Sequence, residues 1–151
     1  MLHTHGKARK VFAPLAVSAL ALMPELRAAI EANELTLVHQ PKYDLRTGAV
    51  GGVETLVRWM HPRYGPIEPD VFIRLAEETA DIFALTRWVM EHAIEEQAEL
   101  SRAGFPLQFA VNLSGRLVSD EPFIDWILDR KSSQQGALRL EITETAVMVM
   151  N

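Results

Sequence analysis

Apolar residues recur at helical spacing in some segments of the chain and at strand-like spacing in others, which predicts helices alternating with strands. The first regular segment carries Leu26, Ala29 and Ile30 at helical spacing, and Pro24 is suited to the first turn of a helix. We therefore expect a helix that begins at Pro24 and ends at Asn33.

Two strand-like segments, residues 35–43 and 50–59, follow this helix. The link between them is short and contains the turn-forming sequence at residues 44–48. Because a parallel crossover needs a dozen residues or more, the first pair of strands is predicted to be antiparallel.

The rest of the pattern predicts an α/β architecture around a buried parallel sheet. The segment before residue 70 is predicted to be a loop, because it contains four residues that disfavour helices and strands: Pro62, Gly65, Pro66 and Pro69. Asp70 is expected to cap the helix that follows. Further helices and strands are predicted at residues 71–80, 83–103 and 122–130 (helices) and at residues 107–113 and 138–142 (strands). The last strand, helix and strand should form a parallel, right-handed unit.

Composition narrows the chemistry that this fold can support. The chain has 151 residues, enough for one sizeable core and too few for two full domains. It has no cysteine, which excludes disulfide scaffolds and thiol nucleophiles and leaves oxygen or imidazole as metal ligands. The net charge of -5 argues against a nucleic-acid polymer as partner.

Residues 1–23 differ from the rest of the chain, since they carry basic residues and no acidic residue. Their apolar run can be interpreted as a secretory signal or membrane anchor, but Pro14 and Ser18 interrupt it. It is also shorter than the roughly 20 residues that span a bilayer. We interpret residues 1–23 as a linker or amino-terminal extension and residues 24–151 as the domain, and we expect a cytoplasmic location without membrane association.

Polar side chains lie near the carboxyl ends of three predicted strands: Glu54, Asn112 and Glu141. In barrels of alternating strands and helices, active sites gather at these ends. Two carboxylates and one amide oxygen would suit Mg²⁺, Mn²⁺ or Ca²⁺, which prefer oxygen ligands.

Each of these residues also has a simpler interpretation. An asparagine after a strand is often a turn former or a helix cap, and Glu141 could pair with Arg139 or Arg58. The acidic outer residues of the long helix are interpreted as a solvated face. Three histidines have no metal-ligand spacing and are interpreted as structural: His39, His61 and His92.

Five motifs, in order, carry a family resemblance: HQP, GVETLVRW, FIRLAEET, VNLS and LEITET. They begin at His39, Gly52, Phe72, Val111 and Leu140. Over about residues 24–151 the chain resembles the EAL domain, the bacterial cyclic-di-GMP phosphodiesterase family.

The resemblance implies a variant (β/α)₈ TIM-type barrel with an antiparallel first strand. It also implies Mg²⁺ or Mn²⁺ as cofactor, with Ca²⁺ as an inhibitory alternative, held by Glu54, Asn112 and Glu141. Glu54 would be catalytic, and so would Glu144, which would support the mobile loop that organises the metal site.

The resemblance further implies a substrate groove for cyclic-di-GMP. Arg58 would contact a phosphate, while Gln40 and Leu56 would line the groove. Thr55 departs from the family pattern, because alanine is usual at this position beside Glu54.

A barrel of this type needs roughly 250 residues, so the chain is expected to supply only its first half, ending after about the fourth strand. Two hypotheses follow. The chain is part of an enzyme that hydrolyses cyclic-di-GMP to linear pGpG, or it is a non-catalytic module that binds cyclic-di-GMP or a protein. In either case we expect these 151 residues alone to be inactive. We also expect them to form a homo-oligomer or to contact the missing carboxyl-terminal half through an open strand edge at residues 138–142.

Overall fold

The computed structural model describes residues 19–131 and 138–143. Within these ranges the chain forms four α-helices and one mixed sheet of five strands. The helices are α1 (Ala19–Glu31), α2 (Pro69–Glu78), α3 (Ile82–Arg102) and α4 (Glu121–Lys131). The strands are β1 (Leu35–Tyr43), β2 (Val50–His61), β3 (Gly65–Ile67), β4 (Gln108–Leu113) and β5 (Arg139–Ile142).

The main strands of the sheet lie in the order β1-β2-β4-β5. β1 is antiparallel to β2, whereas β4 runs parallel to β2 and β5 runs parallel to β4. The predicted antiparallel first pair and the parallel strand–helix–strand unit are therefore confirmed. β3 folds back as an antiparallel partner at the end of β2.

One face of the sheet is covered by helices and forms the core. Along β2, the side chains of Val53, Thr55 and Trp59 are buried, whereas the alternating positions Glu54 and Arg58 are only partly buried. The helices add apolar residues to this core, including Leu26, Phe72, Leu85, Val89 and Phe123. Because alternate residues of a strand point to opposite faces, the polar residues of β2 are left on the other face of the sheet.

The predicted start of the first helix at Pro24 was wrong, since α1 is already helical at Ala19. Pro24 lies inside α1 and lacks the N–H that would complete one helical hydrogen bond. Burial of Leu22 and Leu26 favours the helix on both sides of the proline. The predicted end is confirmed, because Asn33 follows the helix with a φ of 54°, the left-handed conformation common after helices.

Two side-chain contacts attach α1 to the rest of the fold. Glu25 pairs with the buried His61 at the end of β2. Asp81 accepts hydrogen bonds from Arg27 Nε at 2.9 Å and Nη2 at 2.6 Å, and this carboxylate raises the pKa of the Arg27 guanidinium above its ordinary value. Both contacts stabilise the position of α1 beside the sheet.

The segment predicted to be a loop after β2 contains the strand β3. Gly65 permits the turn because its φ is 72°, and the buried Ile67 pairs with Trp59. Pro66 is tolerated because β3 is a short strand that pairs only with the end of β2, so a missing N–H costs no second ladder.

The predicted cap at Asp70 was also wrong. Glu68 is the residue before α2, and Pro69 occupies the first helical turn, where its missing N–H has no helical partner to lose. Within the described ranges, none of the helices combines the length and the apolar character needed to cross a membrane.

Candidate functional site

The residues predicted to form a site lie on the face of the sheet opposite the helices. In the register of the sheet, Gln40 stands opposite Glu54, and Asn112 stands opposite Glu141. Glu54 is paired with Ala110, two residues before Asn112 on the same face of β4. The sheet therefore brings these four polar side chains onto one face of neighbouring strands.

Glu54 and Asn112 are in direct contact. The Asn112 Nδ2 donates a hydrogen bond to Glu54 Oε1 over 3.0 Å. Asn112 lies inside β4, and the following turn is capped by Ser114, whose side chain accepts from the Arg116 N–H. The interpretation of Asn112 as a helix cap is therefore wrong, and its amide is directed to the predicted metal ligand Glu54.

Glu141 is held by a residue that sequence reasoning did not identify. Lys42 Nζ donates to Glu141 Oε1 over 2.8 Å, and both side chains are partly exposed. The simpler alternative, a pairing of Glu141 with Arg139 or Arg58, is not found among the described residues. Strand alternation alone could have placed Lys42 on the site face, because it lies two residues after Gln40 on β1.

A pocket of about 120 Å³ lies where the pairing of β2 with β4 ends, next to Thr55 and Val111. Leu56, Arg58 and Asn112 line it, together with apolar side chains of α2 and α3. Two of the predicted substrate residues therefore share a cavity with a predicted metal ligand. Gln40, the third, is exposed on β1 beside Glu54.

Arg58 is placed to present its charge to this cavity. Its Nη1 donates to the Val57 carbonyl over 3.0 Å, a contact with the backbone rather than with a carboxylate. Glu77, which also lines the pocket, accepts a hydrogen bond of 2.6 Å from Ser114 Oγ. Among the described residues, Arg58 has no carboxylate at ion-pair distance, which leaves its guanidinium suited to an anionic ligand.

Thr55, the departure from the family pattern, points to the helix side of the sheet. Its hydroxyl lies 3.1 Å from His39 Nδ1, and the other ring nitrogen of His39 contacts Glu96 on α3. The His39 ring also packs against Phe109, with ring centroids 4.6 Å apart. The extra hydroxyl of Thr55 is thus satisfied inside the core, away from the site face.

In chemical type, the predicted ligands are oxygen donors, which Mg²⁺, Mn²⁺ and Ca²⁺ prefer. Glu54, Asn112 and Glu141 offer two carboxylates and one amide oxygen from three neighbouring strands. No group of three His, Cys, Asp or Glu side chains able to hold a metal occurs in the part of the chain that the structure describes. A metal here would therefore need Asn112 and further ligands. Glu144, the other predicted catalytic residue, lies outside the described residues.

Comparison with known proteins gives several related sequences. A cyclic di-GMP phosphodiesterase of Pseudomonas aeruginosa, PA2567, is 37% identical over 134 residues, which cover 86% of this chain and 23% of that protein. PdeR, a cyclic di-GMP phosphodiesterase of Escherichia coli, is 34% identical over 132 residues, which cover 85% of this chain and 20% of that protein. The chain thus spans less than a quarter of the length of these relatives.

Solved structures have the same fold. The PaMucR phosphodiesterase in its complex with c-di-GMP matches with a TM-score of 0.73 and 35% identity, over 85% of this chain and 53% of that chain. A family model described as the EAL domain matches residues 23–151. With its mixed α/β sheet and these relatives, the chain belongs to the EAL domain family.

Proposed function

We propose that this chain is the amino-terminal part of a metal-dependent phosphodiesterase that hydrolyses cyclic-di-GMP to linear pGpG. The observation that carries the proposal is the placement of Glu54, Asn112 and Glu141 on one face of three neighbouring strands. This arrangement occurs in a chain that is 37% identical to a cyclic di-GMP phosphodiesterase. The donor set and the relatives support the same reaction.

The proposed roles follow from the chemistry of each side chain. When bound, Mg²⁺ or Mn²⁺ would stabilise negative charge on phosphoryl oxygens and make water a better nucleophile near neutral pH. Glu54, Asn112 and Glu141 would hold the cation, and Asn112 would orient Glu54 through their hydrogen bond. We assign Glu144 the support of a loop beside this site.

The substrate residues would act on the dinucleotide itself. Arg58 would offset the charge of a phosphate, because it faces the pocket without a carboxylate partner among its described hydrogen bonds. Leu56 would provide apolar contact in the same pocket, and Gln40 would offer an amide beside Glu54. We propose that the chain binds cyclic-di-GMP but does not complete the reaction alone.

The test uses the purified chain with Mg²⁺ or Mn²⁺. Binding of cyclic-di-GMP is measured by calorimetry, and conversion to pGpG is measured by chromatography. We expect metal-dependent binding of cyclic-di-GMP that weakens by about tenfold or more in Glu54→Ala. Loss of a residue that only hydrogen-bonds a metal ligand already lowers metal affinity by that factor. Glu95→Ala is the matched control, because Glu95 is exposed on α3.

The two measurements separate the hypotheses. Failure of the wild-type chain to bind cyclic-di-GMP with either metal, or equal binding by Glu54→Ala, would reject the proposal. Turnover that depends on Glu54 would show that the 151 residues are an enzyme by themselves, contrary to our expectation. Binding that is independent of both metal and Glu54 would instead favour a non-catalytic binding module.

A further inference from the structure

The ion pair between Lys42 and Glu141 joins the first and last strands of the main sheet. β1 and β5 are separated by β2 and β4. With neighbouring strands about 4.8 Å apart, a flat sheet would keep β1 and β5 roughly 14 Å apart. Lys42 lies opposite Gly52, which pairs with Gln108, whereas Glu141 lies opposite Asn112. The two residues are therefore also offset along the strands by roughly 13 Å, and an extended lysine and glutamate could not span both separations on a flat sheet. Because Lys42 Nζ nevertheless lies 2.8 Å from Glu141 Oε1, the site face is concave and Lys42 crosses it.

The partner of Lys42 is a predicted metal ligand, so this ion pair is part of the candidate site. Glu141 lies directly opposite Asn112, which bonds Glu54. The ammonium group of Lys42 therefore supplies positive charge at the same carboxylate that the proposed function assigns to a divalent cation. A divalent cation and the ammonium group of Lys42 repel each other when both lie at this carboxylate, so metal binding would weaken this ion pair.

We infer that Lys42 is a built-in counter-cation for Glu141 and a further phosphate-binding residue of the site. In the metal-free chain Lys42 neutralises Glu141. With Glu141 bound to a metal ion, the ammonium group of Lys42 would be free on the concave face to pair with a phosphate of the cyclic dinucleotide. This inference rests on the proposed function and adds a residue to it.

The inference predicts opposite effects of one substitution on two ligands. In Lys42→Gln, Glu141 loses its competitor, so Mn²⁺ alone should bind about threefold to tenfold more tightly. In the presence of saturating Mn²⁺, cyclic-di-GMP should bind about threefold to tenfold more weakly, because one cation facing the phosphates is lost. A residue with only a structural role would weaken both ligands together.

Two further variants make the comparison specific. Lys42→Arg keeps the charge and should restore cyclic-di-GMP binding toward the wild-type value. Arg139→Gln removes a neighbouring cation from the same face of β5 without removing the partner of Glu141. We expect it to change Mn²⁺ affinity less than Lys42→Gln does.

Binding of Mn²⁺ is measured from the paramagnetic resonance of free Mn²⁺, and binding of cyclic-di-GMP by calorimetry, on the full chain. Circular dichroism confirms that each variant is folded. Equal Mn²⁺ affinities of wild type and Lys42→Gln, no Mn²⁺ binding by either, or weaker binding of both ligands would overturn the inference. If wild type and Lys42→Gln bind Mn²⁺ as expected but neither binds cyclic-di-GMP, the counter-cation role is supported and the proposed function fails instead.

Discussion

Thr55 and Glu54 are neighbours on β2 and lie on opposite faces of the sheet, one in the core and the other in the candidate site. Thr55 is 3% exposed and bonds His39 on the helix side, whereas Glu54 bonds Asn112 on the site side. His39 and Gln40 repeat this division on β1, because they pair with Thr55 and Glu54 respectively. A change at Thr55 should therefore affect stability through the core.

We expect Thr55→Val to lower the free energy of unfolding by about 1–3 kcal/mol, because it removes the hydroxyl that bonds His39 Nδ1 inside the core. Thr55→Ser keeps the hydroxyl and should lose less. Thr36→Val, at an exposed position of β1, is the matched control. Urea unfolding followed by circular dichroism measures all three. Equal stabilities of Thr55→Val and wild type would show that the hydrogen bond contributes little.

At the scale of elements, the close approach of β2 and β4 depends on one glycine. A Cβ at Gly52 would lie 2.6 Å from the Gln108 carbonyl oxygen. This oxygen belongs to the backbone and cannot rotate out of the contact as a flexible side chain could. At the neighbouring Gly51, a Cβ would meet nothing within 4 Å. The two adjacent glycines therefore have different structural roles.

We expect Gly52→Ala to destabilise the chain by about 1–3 kcal/mol, as overpacking of a close contact does, and to loosen the pairing of β2 with β4. Gly51→Ala should leave stability nearly unchanged. Urea unfolding gives the stabilities, and amide hydrogen exchange of β4 reports on the pairing. Similar losses in the two variants would mean that the cost comes from strand propensity and not from the contact with Gln108.

Sequence patterns predicted the elements well where apolar spacing and chain length determine them. The antiparallel pair of β1 and β2 follows from the short link between them, and the α3 helix follows from its long apolar face. The helical turn before Pro24 and the strand β3 were missed because tertiary contacts stabilise them despite nearby prolines. Burial of Leu22 stabilises the first, and the pairing of Ile67 with Trp59 stabilises the second. Lys42 was missed because its contact with Glu141 depends on the curvature of the sheet.

At the scale of the whole molecule, the sheet is open within the described residues. β5 pairs with β4 and with no other described strand, and β1 lies at the opposite edge. Both edge strands carry an exposed apolar side chain, Val38 at 42% on β1 and Ile142 at 54% on β5. Unpaired strand edges next to exposed apolar surface favour association with another chain.

We propose that a second copy of the chain covers the edge of β5. Light scattering after size exclusion should then give the mass of a dimer or a larger oligomer. Ile142→Lys places a charge at the exposed end of β5 and should shift the equilibrium toward monomer, because charged residues oppose edge-to-edge pairing. Leu128→Lys is the matched control, since Leu128 is exposed on the helix α4 and not on a strand edge. A monodisperse wild-type monomer would contradict the proposal, and equal effects of both lysines would place the interface elsewhere.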